Sequence, residues 1–108
     1  MNAFKVVRVV DYKTIQVSPE WQILYKNSTL KGDLINIRGL EDVEEHNQEE
    51  AEDRLIKIFS RNPNNITFDS PEVISHADGE NAVASCSVYI GRANILYYFP
   101  ELVVKSRE

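Results

Sequence analysis

Residues 33–44 read Asp-Leu-Ile-Asn-Ile-Arg-Gly-Leu-Glu-Asp-Val-Glu, and the rest of the chain arranges itself around them. Leu34, Ile35 and Ile37 are good β-formers, so a buried strand is expected from Leu34 to Ile37. Gly39 then offers a kink or a close approach of backbone. Behind it, Glu41, Asp42, Glu44 and Glu45 crowd one strand end. The plain reading is that these acids complement the positive end of a following helix. The functional reading is that they carry chemistry.

That helix is expected at Gln48–Ser60. Asn47 is a good N-cap and Glu50 stands three residues on, an Asn variant of the capping box. Ala51, Leu55, Ile58 and Phe59 form one apolar stripe. Glu50 with Arg54, and Asp53 with Lys57, are i,i+4 pairs in the favourable order. Arg61-Asn62-Pro63-Asn64 ends the helix.

Upstream, Phe4–Val10 is rich in β-branched residues and Asp11 supplies turn chemistry. Ile15-Gln16-Val17 resumes with period two, so the two runs pair as a hairpin. Ser18-Pro19-Glu20 is expected to interrupt the second strand, since proline cannot donate to a central ladder. Trp21–Tyr25 is a further apolar patch, Lys26-Asn27-Ser28-Thr29 a polar loop, and Lys31-Gly32-Asp33 a turn into the central strand.

Downstream, Ile66–Phe68 reads as a short strand broken by Ser70-Pro71, and His76-Ala77-Asp78-Gly79 as a turn. From Ala82 to Ile90 the alternation is clean, with Ala82, Ala84, Cys86, Val88 and Ile90 on one face. Cys86 therefore reads as a small buried hydrophobe and not as a nucleophile. Gly91 closes that strand. Asn94–Phe99 is expected as a short aromatic helix that plugs one end of the core before Pro100. The resulting molecule is mainly β with one principal helix between the third and fourth strands. That order matches a five-stranded OB-fold barrel, and a small α+β sandwich shares much of it.

The 108 residues make one domain, 1–108, long enough for a core. No apolar run approaches the ~20 residues of a membrane span, and no charged-then-apolar leader is visible at the start. The single Cys86 excludes an internal disulfide and a thiolate metal cluster, so a cytoplasmic setting is the expectation. The net charge of −5 argues against indiscriminate phosphate binding. Yet Glu41 to Asp53 alone holds eight acids and no base, leaving nine acids against twelve Lys and Arg elsewhere. His46 and His76 lack the spacing of metal ligands. Trp21, Tyr25 and Tyr12 are either a stacking platform for single-stranded nucleic acid or ordinary core and hairpin cover.

Two stretches resemble the staphylococcal-nuclease-like (thermonuclease) family. Val6–Val17, Val-Val-Arg-Val-Val-Asp-Tyr-Lys-Thr-Ile-Gln-Val, is similar to its opening hairpin, V-x-x-V-x-D-G-D-T-x-x-V. Ile35–Glu44, Ile-Asn-Ile-Arg-Gly-Leu-Glu-Asp-Val-Glu, is similar to its third strand and active-site exit, V-R-L-x-G-I-D-T-P-E. The resemblance implies a nuclease-like OB barrel. It also implies a site where calcium, paired carboxylates, a glutamate and two arginines cleave phosphodiesters. Asp11, Glu41 and Glu44 match two of the aspartate positions and the glutamate. Lys13 stands where a metal-ligating aspartate belongs, Asn36 where the first phosphate arginine belongs, and Ala82 where the second does.

These departures have physical consequences. A dication wants several oxygen ligands, and the Lys13 ammonium repels it. A transferring phosphate needs positioned cations, and Asn36 is neutral. Asp11, Glu41 and Glu44 could hold calcium only weakly; Arg38 is the one nearby stand-in for a phosphate clamp. The expectation is a barrel without efficient catalysis that works as a binding module and needs no cofactor. Lys5, Arg8, Tyr12, Lys13 and Arg38 would face nucleic acid. The alternatives are a protein partner, suggested by the acidic run and by Tyr97-Tyr98-Phe99, or a residual metal-dependent phosphodiesterase.

Overall fold

The computed structural model of the chain describes residues 4–75 and 82–100. Five strands and one helix account for most of it: β1 (Lys5–Val9), β2 (Thr14–Tyr25), β3 (Ser28–Ile37), α1 (Gln48–Arg61), β4 (Ile66–Ser75) and β5 (Val83–Ile90). A two-residue β6 (Ala93–Asn94) returns against β5. The sheet order is β1-β2-β3-β5-β4, antiparallel throughout except for the parallel β3–β5 pair. That parallel pair is made possible by the long crossover through α1. β1 and β4 form the two edges. Their chain ends approach through an edge-to-face contact of Phe4 and Phe68, 6.1 Å between ring centres. No β1–β4 ladder occurs among the described residues, so the sheet is open where a barrel would close.

The central strand sets the inside and the outside. Ile35 and Ile37 are fully buried, Asn36 is half-buried, and their neighbours follow suit. Ile35 pairs with Ile15 on one side and Ala84 on the other, while Asn36 pairs with Thr14 and Ser85. On β5, Ala84, Cys86, Val88 and Ile90 point into the core, as their alternation predicts, and Ala82 lies buried just before the strand. α1 lays Ala51, Leu55, Ile58 and Phe59 against the core, which is the predicted stripe. Each such Leu, Ile or Phe stabilises by roughly 1.5–3 kcal/mol. Trp21 and Phe99 are the largest fully buried side chains, and the Trp21 indole donates to the Leu34 carbonyl at 3.0 Å.

Three expected interruptions are absent, and in each case the backbone absorbs the awkward residue. β2 runs straight through Ser18-Pro19-Glu20. Its pairing with β3 skips from Gln16–Leu34 to Trp21–Gly32, so Pro19 sits in a bulge where no ladder N–H is wanted. β4 likewise runs through Ser70-Pro71, with a register shift between Asp69 and Glu72 and Ser70 at φ 55°. Lys31-Gly32-Asp33 is no turn but the middle of β3. The turn comes earlier, at Lys26 and Asn27, whose φ values of 49° and 66° are those of a two-residue hairpin turn.

Two glycines hold the packing together. A Cβ on Gly32 would run into the Ala82 carbonyl oxygen and the Trp21 indole. Gly39 has φ 104° and leaves room for the Leu96 side chain, the close approach expected of it. After Gly39 the acidic segment forms two single turns of 3-10 helix, Leu40–Asp42 and Glu45–Asn47, before α1 begins. Asn47 occupies the N-cap position without making the side-chain cap bond. The i,i+4 pair of Glu50 and Arg54 forms at 2.7 Å. The plug appears as a 3-10 turn, Ile95–Tyr98, with the Asn94 carboxamide oxygen accepting from the Leu96 N–H. Arg54 fastens that turn to α1 by donating to the Tyr98 carbonyl at 2.9 Å. The expected turn at His76–Gly79 and the Tyr25 side chain lie outside the described residues.

Candidate functional site

The outer face of the sheet gathers most of the residues singled out above. Its central row runs Thr14, Asn36, Ser85, Glu72 across β2, β3, β5 and β4. Strand alternation puts these four on the same side because their neighbours must fill the core. The Thr14 hydroxyl donates to the Asn36 carboxamide oxygen at 2.8 Å. Asn36, standing at the implied phosphate-arginine position, is thus occupied in binding its own sheet. Its neighbour on β5 is Ser85, three residues past Ala82, which is buried and cannot face a ligand.

Arg38 lies at the end of this row. Its guanidinium donates to the Ser70 carbonyl at 2.7 Å, to the Ser85 carbonyl at 2.8 Å and to the Ser85 hydroxyl at 3.3 Å. Glu72 stands 3.9 Å away. The left-handed Ser70 in the β4 bulge presents that carbonyl. Arg38 therefore clamps three strands together, a role its sequence position gave no sign of, since its partners lie 32 and 47 residues away.

A second polar chain crosses the face beside it. Arg8 Nε donates to the Gln16 side-chain oxygen at 2.9 Å, and Gln16 donates to Asp33 at 2.7 Å. The terminal amino groups of Arg8 make no bond among the described residues, and the side chain is exposed. At the β1–β2 turn the Asp11 carboxylate accepts from the Lys13 backbone N–H at 2.9 Å, the Asx geometry expected of that residue. The Lys13 ammonium lies 4.8 Å from the centre of the Tyr12 ring, a cation–π contact. The turn is tied to the central strand by the Ile37 N–H, which donates to the Lys13 carbonyl at 2.7 Å. Lys5 is exposed near the start of β1.

The three carboxylates of the implied metal site do not converge. Asp11 caps its own turn, Glu41 accepts from the Gly39 N–H at 2.8 Å, and Glu44 faces His46 at 3.5 Å. Among the described residues no three His, Cys, Asp or Glu side chains gather to hold a metal. The donor set thus does not fit calcium. Cys86 lies beneath the row, fully buried; burial pushes its thiol up to about 11, against the lowering influence of Arg38 and with a smaller raising one from Asp69. It is inert. No helix among the described residues is long and apolar enough to cross a membrane.

A cavity of about 710 Å³ opens beyond this face, between the end of β3 and the 3-10 plug, lined in part by Asp42, Tyr89, Arg92, Tyr97 and Phe99. Most of its lining comes from one continuous stretch, residues 89–100, with Gly39 and Asp42 opposite. Reading the sequence named the aromatic plug in that stretch but not the cavity beside it. A smaller groove of about 380 Å³ lies between β1 and α1, with Val7 and Ile56 exposed on its rim. No family model matches this chain, and the search of curated proteins returns no match.

Proposed function

We propose that this chain is a non-catalytic binding module, an OB-type barrel of the staphylococcal-nuclease-like kind. Its outer sheet face takes single-stranded nucleic acid. The observation that carries this reading is the composition of the implied cleavage site. Thr14, Asn36, Ser85 and Arg38 satisfy one another there, while Asp11, Glu41 and Glu44 turn to separate partners. Such a face has neither the oxygen cage for a dication nor an unengaged pair of phosphate cations. It does have the half-buried Asn36 and Ser85 flanked by the basic side chains of Arg8 and Lys13, which suits backbone contact without bond cleavage. The strand order, the parallel β3–β5 pair and the approach of Phe4 to Phe68 support the barrel. Calcium has no part in this function.

A second reading, a protein partner, is favoured by one observation: Val7 and Ile56 stand exposed on the two sides of the β1–α1 groove. The two readings diverge in salt. Titration of a labelled single-stranded oligonucleotide at rising salt should show affinity falling steeply, as phosphate contacts release counterions. Arg8→Glu with Lys13→Glu should weaken binding by about tenfold or more at low salt. Affinity that ignores both salt and the double variant sinks the nucleic-acid reading.

A further inference from the structure

We infer that the cavity beside β5 is a pocket for one nucleoside monophosphate unit, an inference that rests on the nucleic-acid reading and names where a single nucleotide is held. At about 710 Å³ the cavity lies within the range of small-ligand sites. Two tyrosines face it, Tyr89 from β5 and Tyr97 from the 3-10 turn, over the fully buried Phe99 that anchors the turn in the core. Tyr97 is 76 % exposed, so its ring presents most of its surface to solvent at the cavity's edge. Two charged groups line the same space, Arg92 and Asp42, and neither has an ion pair or a side-chain hydrogen bond among the described residues.

Each wall has a matching part on a nucleotide. An exposed aromatic ring offers a surface on which any base can stack. An unpaired guanidinium is the natural partner of a phosphate. An unpaired carboxylate accepts hydrogen bonds and repels phosphate, so it selects the ribose hydroxyls or an exocyclic amine and fixes which way round the ligand lies. The walls are also held in advance. Asn94 braces the turn at the Leu96 N–H, Arg54 holds the Tyr98 carbonyl, and Leu96 packs into the space left by Gly39. The pocket continues the outer face, because Ser85, Ser87 and Tyr89 are successive outward positions on β5. A strand lying on Asn36 and Ser85 thus leads toward it.

The test titrates the protein with adenosine monophosphate and with adenosine, followed by amide shifts in two-dimensional NMR. Wild type, Tyr97→Ala and Arg92→Ala are compared; both residues are exposed, so both variants keep the fold. The monophosphate should shift the amides of Tyr89, Arg92 and Tyr97. Tyr97→Ala should weaken it about tenfold. Adenosine should bind more weakly than the monophosphate to wild type and equally to Arg92→Ala. A monophosphate that shifts only the β1–β2 hairpin, or that binds both variants like wild type, overturns the pocket. An oligonucleotide whose affinity survives Tyr97→Ala unchanged also overturns it while leaving the binding module standing. Pocket shifts with the monophosphate in a protein that binds no oligonucleotide support the pocket and contradict the module.

Discussion

The two faces of the sheet are built from the same strands by different forces. The inner face is a continuous apolar surface in which Ile15, Ile35, Ile37, Ala84, Cys86 and Val88 are essentially inaccessible. It is held by buried area, which is non-directional and intolerant of holes. The outer face is a set of short polar chains, Thr14 to Asn36, Arg8 to Gln16 to Asp33, and Arg38 to Ser70 and Ser85. The neutral bond of Thr14 to Asn36 nets only about 1 kcal/mol, and the charged ones about 1.5–3 kcal/mol each before solvent exposure reduces them. Most of the stability should therefore reside on the inner face, while the proposed function places recognition on the outer one, and substitutions should separate the two.

The largest effect should come from Trp21→Ala. It removes a fully buried ring and the indole donor to Leu34, and it should cost about 3–5 kcal/mol in urea unfolding. A loss below about 1 kcal/mol would break the contrast between the faces. Next comes Cys86. Burial raises its thiol in the folded state to about 11 from its ordinary 9.0, so the unfolded chain ionises first. Its contribution is intact below pH 9 and is lost as pH rises toward 11; at about 1.4 kcal/mol per pH unit the total is about 2–3 kcal/mol. Cys86→Ala should lack that component of the alkaline decline, and wild type and variant declining in parallel from pH 9 to 11 would contradict it.

Gly32→Ala should cost about 1–3 kcal/mol, because the obstructing Ala82 carbonyl is backbone and cannot swing aside. Smallest are Arg8→Glu and Lys13→Glu, each expected within about 0.5 kcal/mol of wild-type stability even as they weaken oligonucleotide binding. If they destabilise as much as Gly32→Ala, the outer face is structural and the separation fails.

The inner face was legible in the sequence because period-two alternation has one cause, burial on one side. Ala82–Ile90 and the Ala51–Phe59 stripe came through intact for that reason. Pro19 and Pro71 misled, since composition marks them as breaks while bulges let β2 and β4 continue. The Asn47 cap failed because a 3-10 turn, Glu45–Asn47, already leads into α1 and Asn47 itself is in the helical region. On the outer face the sequence placed Asp11, Asn36 and Arg38 near one another but showed nothing of their partners. Arg38 is satisfied by backbone carbonyls of distant residues, which no side-chain pattern announces. The cavity is lined largely by the single stretch 89–100, but it exists only because the end of β3 brings Gly39 and Asp42 opposite, a juxtaposition no local pattern announces.

Binding without cleavage is most directly tested by following the fluorescence anisotropy of an end-labelled single-stranded oligonucleotide over hours at low salt, in calcium and in chelator. The expected result is a rise to a plateau that is equal in both conditions, steady in time and lowered by added salt. A plateau that decays only in calcium would show that the chain cuts. No rise in either condition would show that its outer face does not bind nucleic acid.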